Sequence, residues 1–381
     1  MQVLFFTVFA LIVIHYVGFG LMVLIASLFF KRNHISNLDK LPTVSFIVAA
    51  YNEEKVIREK IENDLLLDYP KDKIELIIVS DGSNDKTAEI ASSYASRGVV
   101  SLHKPERGGK TAALNRAIAL AKNEILVFSD ANSMFQKDAI KKLMAHFADD
   151  SIGGVCGQKT VLSNKERRAS LGDHLYWQYE SRLKQAESHL GSIPTADGEI
   201  FAMRKSLYKE VDAKIINDDQ VITLNILKQG KRVIYEKNAI SYEEASISLK
   251  DDFNVKARMV YGGIQIMSLF KEELNPFKSW FGLQFFFHKT LRYFMWALLI
   301  LIFVSNLAII HQHEFYRIFF GLQLAFYLLA VTGGIIGKFG KVPTLFYIPN
   351  YYCTVNIAAF KGYLFFRKQR KGVDVWKKAK R

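Results

Sequence analysis

The chain has little cysteine, no internal repeat and no low-complexity linker. Its two cysteines, Cys156 and Cys353, stand far apart in segments of different character. Two distant thiols imply neither a disulfide framework nor a metal–thiolate site. The length of 381 residues is enough for one full α/β domain and a further part.

Acidic residues are also in short supply relative to basic ones. Lys and Arg number 51 against 37 Asp and Glu, a formal net charge of +14, while 50% of the residues are hydrophobic. A chain that is both apolar and basic is typical of membrane proteins with basic cytoplasmic flanks. The basic residues cluster beside the apolar segments and in the tail, where they meet anionic lipid. We therefore expect membrane lipid, and no nucleic acid, as a partner.

The amino-terminal segment lacks formal charge from Val3 through Phe30, and Lys31 and Arg32 follow at once. A membrane-spanning helix needs about 20 such residues. No Lys or Arg precedes the apolar core, so the segment does not match a secretory signal. The positive-inside rule then places residue 33 onward in the cytoplasm. We predict a transmembrane helix in residues 1–32 of a multi-pass protein of the cell (inner) membrane.

The carboxyl-terminal region, residues 277–381, is apolar again. Trp280 to His288 suits a helix in the membrane interface. Two spans are predicted after it, at Tyr293–Ile310 and Phe315–Ile336. A third span at Val342–Phe366 would leave the basic tail, Arg367 to Arg381, outside. We therefore interpret Val342–Phe366 as a re-entrant or interfacial segment, whose polar residues need protein cover.

Residues 33–276 have the pattern of an α/β domain. Val44 to Ala50 is too continuously apolar for a surface strand and predicts a central strand covered on both faces. Further apolar runs alternate with helical patterns. The runs are Ile74–Val79, Val99–Leu102 and Ile125–Phe128, and the helical patterns are Lys86–Ala95, Lys110–Ala121 and Lys137–Phe147. Such alternation predicts βαβ units and a mostly parallel sheet.

Polar residues follow each predicted strand, as expected of a ligand crevice at the carboxyl edge of the sheet. The four sets are Tyr51-Asn52-Glu53, Ser80-Asp81-Gly82-Ser83, His103-Lys104 and Ser129-Asp130-Ala131-Asn132. Asp81 could accept hydrogen bonds from a base or ribose. Arg107-Gly108-Gly109-Lys110 joins a flexible turn and a cation to a helix amino terminus, which suits phosphate but is not a P-loop.

Asp130 and Asn132 offer the hard oxygen ligands that suit Mg²⁺ or Mn²⁺ bridging a diphosphate. Singly, Asp81 and Asp130 would more often cap a helix or turn. Their joint occurrence at successive strand ends favours a nucleotide diphosphate site.

The chain resembles the family 2 glycosyltransferases, inverting enzymes with the GT-A fold. It is similar to their membrane-anchored branch, alongside the cellulose, chitin, hyaluronan and poly-N-acetylglucosamine synthases. The resemblance covers roughly residues 42–263 and depends on the order and spacing of short motifs. They are Ala50-Tyr51-Asn52-Glu53, Ser80-Asp81-Gly82-Ser83 with Thr87, Gly109-Lys110 with Ala113-Leu114-Asn115, Ser129-Asp130-Ala131-Asn132, Gly198 to Arg204, and Asn217-Asp218-Asp219.

This resemblance implies a nucleotide-sugar donor, with UDP favoured, and a role for each matching residue. The implied nucleotide-sugar-binding residues are Ala50, Tyr51, Glu53, Asp81, Lys110, Asn115, Asp130 and Arg258. Asp130 and Asn132 take the place of the metal-binding Asp-x-Asp, Gly198 and Glu199 lie on the acceptor side, and Asp219 is the catalytic base. Asp218 would raise the pKa of Asp219 by like-charge repulsion. A cap on a helix Val221–Gln229 is the alternative role for Asn217-Asp218-Asp219.

Two departures from the family pattern affect these expectations. Asn132 replaces the second Asp; since an amide binds a hard cation more weakly, Asn132→Asp should be tolerated or should tighten metal binding. Val255-Lys256-Ala257-Arg258-Met259 stands where the processive synthases have Gln-x-x-Arg-Trp, so the sugar-stacking Trp is absent. We therefore expect transfer to a lipid-linked or saccharide acceptor at the membrane. The alternatives are a processive polysaccharide synthase and a catalytically inert membrane scaffold.

Overall fold

Two units make up the part of the chain that the structure, a computed structural model, describes: residues 1–39, 41–162, 170–244 and 249–368, without the side chains of 170–177 and 249–251. The first unit is Met1–Met22, Glu166–Gly172 and Ser246–Arg381, and the second is Val23–Lys165 and Asp173–Ala245. The predicted cytoplasmic tail lies outside the described residues from position 369 onward. The predicted domain boundary at 276 differs from the end of the second unit, and the predicted domains stay predictions.

The described strands of the second unit form one eight-stranded mixed sheet. In chain order they are β1 Val44–Ala50, β2 Ile74–Asp81, β3 Val99–Lys104, β4 Ile125–Asp130, β5 Met134–Phe135, β6 Ile152–Leu162, β7 Phe201–Arg204 and β8 Arg232–Glu244. Their order across the sheet is β3-β2-β1-β4-β7-β6-β8-β5. Strands β3, β2, β1 and β4 are parallel, and β8 is parallel to β6. The antiparallel pairs are β4 with β7, β7 with β6, and β8 with β5. The predicted α/β class is confirmed.

Helices connect and flank these strands. In chain order the described ones are α1 Gln2–Val13, α2 Phe19–Phe29, α3 Ile57–Leu65, α4 Thr87–Ser92, α5 Lys110–Leu120, α6 Ala139–Met144, α7 Ser170–Leu190, α8 Asp218–Lys228, α9 Leu249–Leu269, α10 Trp280–Phe285, α11 Leu291–Ile309, α12 Glu314–Ile336 and α13 Thr344–Lys368. Short 3₁₀ turns lie at Ala95–Arg97, Ala145–Ala148 and Lys205–Leu207, and π-helical turns at Ile14–Gly18 and Phe286–Thr290.

Strand β1 is the centre of the core of the second unit. Val44, Phe46 and Val48 belong to one buried cluster with Ile57 of α3 and Ile140 of α6. The intervening residues of the strand, Ser45 and Ile47, are fully buried as well. Burial on both faces is the property that a continuous apolar run predicts.

The register of the parallel strands aligns their carboxyl ends. Ala50 of β1 stands opposite Ser80 of β2, and Ala49 stands opposite Asp130 of β4. Asp81 stands opposite Lys104 of β3. The polar residues that follow these strands therefore meet at one edge of the sheet.

Three described helical stretches are long and apolar enough to cross a membrane: Gln2–Phe29, Trp280–Ile309 and Glu314–Ile336. Phe5 and Val8 of α1, Ile302 and Ile309 of α11, and Tyr316 of α12 form one buried cluster. The predicted interfacial segment, Trp280 to His288, continues through a π-helical turn into the predicted span. Both are therefore parts of one 30-residue helical stretch.

The segment predicted to be re-entrant or interfacial forms a continuous helix, α13, packed against α9 and α12. That this segment is re-entrant or interfacial, and not a further span, stays a prediction. The polar residues of α13 have partners in the helices: Asn350 donates to the carbonyl oxygen of Ala330 and Asn356 to that of Tyr352, both at 2.9 Å. Gly362 allows a close approach, since a Cβ there would lie 2.4 Å from the carbonyl oxygen of Ala257 in α9.

Candidate active site

Asp81, the last residue of β2, is buried and holds the glycine turn that precedes α5. Its Oδ2 accepts hydrogen bonds from the backbone N–H groups of Gly108 at 3.0 Å and Gly109 at 2.7 Å. The Arg116 guanidinium of α5 donates to Oδ1 at 3.1 Å. Gly109 has φ +93°, a backbone conformation that favours glycine. Asp81 therefore shapes the turn that was predicted to bind phosphate.

The turn after β1 is tied to the segments that follow β2 and β3. The Arg107 guanidinium lies 3.8 Å from the centre of the Tyr51 ring, in stacking contact. Asn52 adopts φ +52°, and its side-chain oxygen accepts from the Asn84 N–H at 2.9 Å. The Glu53 N–H donates to Thr87 Oγ at 2.7 Å. Tyr51 and Glu53 thus lie in a turn that the neighbouring strand end fixes.

Lys110, the first residue of α5, reaches the end of β4. Its Nζ lies 2.6 Å from Asp130 Oδ1, and both side chains are about one-third exposed, 28% and 35%. Burial alone would lower the pKa of Lys110, but the charges of Asp130, Asp218 and Asp219 outweigh burial and raise it. An ammonium among three carboxylates gives the edge of the sheet a cation that stays charged at neutral pH.

Asp218 and Asp219 open helix α8, where the positive end of the helix dipole favours carboxylates. Asp219 Oδ1 accepts from the N–H of Gln220 at 2.8 Å, and Oδ2 accepts from the N–H of Gly198 at 3.2 Å. Burial and then the charge of Asp218 raise the pKa of Asp219 to about 7. A carboxylate with that pKa can accept a proton near neutral pH.

Asn132 and Glu199 belong to one network of hydrogen bonds and ion pairs around the buried Glu243. Asn132 Nδ2 donates to Glu243 Oε1 of β8 at 2.8 Å. Lys159 of β6 pairs with Glu243 and, at 2.6 Å, with Glu199. Burial raises the pKa of Glu199, although the charge of Lys159 opposes the rise. The predicted metal ligand and the predicted acceptor residue are therefore linked through two residues that were not predicted, Lys159 and Glu243.

Three predicted residues occupy other environments. Both ends of the Asn115 amide are engaged: Nδ2 donates to Val211 O at 2.8 Å and Oδ1 accepts from Tyr208. Ala50 is buried in the core cluster. Arg258 lies on α9, in the first unit, and its role stays a prediction.

An open groove adjoins this edge of the second unit. Its volume is about 620 Å³, and its lining includes Asn115 and Arg116 of α5 and Val211. Because Arg116 also contacts Asp81, the groove lies next to the turn predicted to hold the nucleotide.

Sequence reasoning also missed two fully buried lysines. Lys60 of α3 donates to the carbonyl oxygen of Ser133 at 2.6 Å and pairs with Asp64 at 2.8 Å. It thereby supports the turn that carries Asp130. Lys184 of α7 pairs with Asp197, the residue before Gly198. The only sequence signal was the polar residue itself within an apolar or helical pattern, since the partner is distant in the chain.

The arrangement can neutralise a diphosphate and accept a proton. Among the residues that the structure describes, no group of three or more His, Cys, Asp or Glu side chains could hold a metal ion. Asp130 and Asn132 offer two oxygen ligands, which fits Mg²⁺ or Mn²⁺ when the diphosphate supplies further oxygens. The roles of the individual residues stay predictions.

A mixed sheet with acidic residues and a lysine along the carboxyl edge of its parallel half is a GT-A-like fold. Residues 45–212 match the family model described as glycosyl transferase family 2. These residues therefore form a glycosyl transferase family 2 domain, in agreement with the resemblance of the motifs.

Curated relatives carry related names. The chain is 26% identical over 236 residues to a poly-beta-1,6-N-acetyl-D-glucosamine synthase of Staphylococcus aureus, covering 61% of this chain and 57% of the relative. It is 27% identical over 289 residues to a probable glycosyltransferase of Bacillus subtilis, YdaM, covering 71% and 68%. The chain thus spans little more than half of the synthase it matches.

One solved structure resembles nearly the whole chain. The mannosyltransferase PcManGT of Pyrobaculum calidifontis, in complex with GDP-Man and Mn²⁺, matches with a TM-score of 0.72. The match covers 97% of this chain and 100% of that one at 22% identity. This likeness concerns the fold.

Proposed function

We propose that the protein transfers a sugar, with inversion, from a nucleotide-diphosphate sugar to a lipid-linked acceptor at the membrane surface. The transfer would serve the synthesis of a cell-envelope glycan or an exopolysaccharide. The observation that carries the proposal is the meeting of Asp218 and Asp219 with Lys110 and Asp130 at one edge of the sheet.

In the proposed reaction, Asp219 accepts the proton of an acceptor hydroxyl as its oxygen attacks the anomeric carbon. The new glycosidic bond forms while the bond from that carbon to the diphosphate oxygen breaks, and the bonding electron pair leaves with the nucleoside diphosphate. The backbone N–H of Gly198 orients the Asp219 carboxylate. Lys110, held close to Asp130, stabilises the negative charge that develops on the diphosphate.

Mg²⁺ or Mn²⁺, held by Asp130 and Asn132, would supply additional charge neutralisation to the departing diphosphate. PcManGT was solved with Mn²⁺, which supports a divalent cation here. Its complex contains GDP-Man, whereas the resemblance of the motifs favours UDP. The donor screen therefore includes both UDP- and GDP-sugars.

The helical stretches that could cross a membrane support a membrane-associated acceptor. We propose an inner-membrane location with the catalytic domain in the cytoplasm, since Lys31 and Arg32 directly follow the first apolar segment. The exposed Trp280 and Phe277 suit docking at the lipid headgroups.

A processive polysaccharide synthase is the second candidate, favoured by the likeness to the synthase of Staphylococcus aureus. Against it, Met259 is 48% exposed and stands where the synthases have a sugar-stacking aromatic ring. The inert scaffold is the third candidate.

Donor profiling tests the proposal. The detergent-purified chain, with Mn²⁺ or Mg²⁺, would be screened for nucleotide release from UDP- and GDP-sugars, with native lipid extract added or omitted. We expect nucleotide release that increases with the lipid extract, and short lipid-attached products whose length follows the acceptor-to-enzyme ratio. Long polymer made without added acceptor would favour the processive synthase. No release from any donor, with lipid present, would favour the scaffold.

A further inference from the structure

The amide of Asn132 faces a carboxylate that belongs to a distant part of the chain. Asn132 Nδ2 lies 2.8 Å from Oε1 of Glu243, a side chain that is 6% exposed. The backbone fixes this contact, because Met134 pairs with Tyr242 in the antiparallel ladder of β5 and β8. The two side chains are therefore held together by the sheet.

Lys159 holds the second oxygen of the Glu243 carboxylate, Oε2. The ammonium pairs with Glu243 from the neighbouring strand, where Lys159 stands opposite Ser241. The charges of Glu199 and Glu243 outweigh burial and raise the pKa of Lys159. Glu243 therefore has a donor at each carboxylate oxygen, Lys159 at Oε2 and Asn132 at Oε1, and both oxygens act as acceptors.

A hydrogen-bond acceptor beside Asn132 fixes the orientation of the Asn132 amide, because only the NH₂ end of the amide can donate to that acceptor. Glu243 takes the NH₂ group, so the amide oxygen lies on the opposite side of the group. An Asp at position 132 would need no such orientation, because both ends of a carboxylate are oxygens. It would instead place a second negative charge against Glu243.

We propose that Glu243, held by Lys159, is a positioning residue that turns the Asn132 amide oxygen toward a divalent cation at Asp130. This inference rests on the proposed function, of which the cation is a part. The inference explains how an Asn can replace the Asp of the family at this position. Glu243 of β8 places a carboxylate at the NH₂ end of the amide and leaves the oxygen end for the cation.

The test is a double-mutant cycle of wild type, Glu243→Gln, Asn132→Asp and the double variant. Mn²⁺ affinity is measured by electron paramagnetic resonance with UDP or GDP present, without turnover. Gln can donate or accept, so it no longer fixes the amide. We expect Glu243→Gln to weaken Mn²⁺ binding about tenfold or more in the wild-type background, as loss of an outer-shell partner does. In the Asn132→Asp background the same change should leave Mn²⁺ binding nearly unaltered.

Melting in EDTA gives a second measurement that needs no metal. Asn132→Asp should melt a few degrees below wild type, because two carboxylates then meet where the amide contact now stands. Glu243→Gln should restore the melting temperature, since Gln donates to Asp. The control is Glu236→Gln, a change on the same strand at a residue that pairs with His146; it should leave Mn²⁺ binding unchanged.

Equal losses of Mn²⁺ affinity in the wild-type and Asn132→Asp backgrounds would overturn the positioning role and assign Glu243 an effect of charge alone. No loss in either background would overturn it as well. Absence of Mn²⁺ binding by wild type with both nucleotides would overturn the inference together with the metal part of the proposed function. Absence of sugar transfer, with the expected binding pattern intact, would contradict only the proposed reaction.

Discussion

Gly198 and Asp219 lie in direct contact: the Gly198 N–H donates to Asp219 Oδ2 at 3.2 Å. A Cβ at position 198 would lie 3.1 Å from Asp219 Cβ and 3.4 Å from Oδ2. Together with the N–H of Gln220, this contact fixes the carboxylate from two sides. The geometry of the proposed base thus depends on the absence of a side chain at position 198.

Gly198→Ala should therefore displace the Asp219 carboxylate and lower turnover by roughly 10–100-fold, since small misplacements of a catalytic group are costly. The matched control is Gly191→Ala, where an added Cβ would meet no atom within 4 Å. Turnover and melting temperature would be compared for both variants. Equal turnover of the two variants would contradict the prediction that Gly198 positions the Asp219 carboxylate.

Asp219→Asn should keep the fold and nucleotide binding but abolish transfer. The change removes the proton acceptor at nearly constant volume, and losing general-base catalysis costs roughly 10²–10⁴-fold in rate. Nucleotide affinity and turnover of the purified variant would be measured. Asp150→Asn, at a side chain that is 97% exposed, makes the same chemical change as a control. Near-normal turnover in Asp219→Asn would remove Asp219 from the mechanism.

Turnover should rise with pH through about 7. Burial, and then Asp218, raise the pKa of Asp219 from 3.8 to about 7, and only its deprotonated form can accept a proton. The measurement is kcat/KM from about pH 5.5 to about 8.5, a window centred on that pKa. A rate independent of pH over this range would contradict the assignment.

The same shift affects stability with a defined sign. The folded pKa is above the unfolded value, so the unfolded chain loses this proton first as pH rises. Asp219 therefore destabilises the folded state increasingly between about pH 4 and about pH 7 and has no such effect at lower pH. The Asp219→Asn variant does not lose stability in this way, because Asn does not titrate. Its melting temperature should rise relative to wild type across that window.

Gly109→Ala should weaken donor binding. The residue has φ +93°, and its N–H donates to Asp81, so strain there disturbs the turn at the start of α5. Gly98→Ala is the control at a second glycine with positive φ, +83°, that likewise has no atom within 4 Å of an added Cβ. Gly98 is left-handed, with ψ 11°, whereas Gly109 has ψ 165°, a conformation almost restricted to glycine. Both variants should lose stability, on the order of 1–3 kcal/mol, and Gly109→Ala should lose more. Only Gly109→Ala should reduce nucleotide affinity. Equal affinities would contradict a nucleotide role for the turn.

Asp130→Ala should weaken donor binding and remove the response to divalent metal, because Asn132 alone is a weak ligand. Nucleotide affinity would be measured with and without EDTA, beside Asp150→Ala at an exposed carboxylate. Wild-type transfer that EDTA leaves unchanged would contradict the metal site. Lys110 and Arg258 would then have to neutralise the diphosphate.

The parallel half of the sheet was predictable from local patterns. Val44 to Ala50 was predicted as a strand with the bounds that β1 has, and the apolar runs at Ile74 and Ile125 begin β2 and β4. The polar ends of these strands meet because parallel neighbours share an edge, a rule that needs no alignment. Short-range periodicity and sheet topology therefore placed Asp81 and Asp130 together.

The second half of the site depends on contacts between distant segments. Glu243 follows Asn132 by 111 residues, and Lys184 and Asp197 meet across a helix and a loop. Lys159 stands between Gln158 and Thr160 in the polar part of β6, so the sequence gives no sign of its partners. The positions of such partners follow from strand pairing in the mixed half, where β7 enters antiparallel between β4 and β6.

The helical stretch Trp280–Ile309 has 30 residues. At about 1.5 Å per residue it rises about 45 Å, roughly 15 Å more than the hydrocarbon thickness of a typical bilayer. About ten residues, from Trp280 to Lys289, would then emerge at the headgroups, unless the stretch tilts. Reconstitution in lipids of longer acyl chain would draw these aromatic residues into the hydrocarbon. Hydrophobic mismatch would thus make bilayer thickness a variable to control when the purified protein is assayed in liposomes.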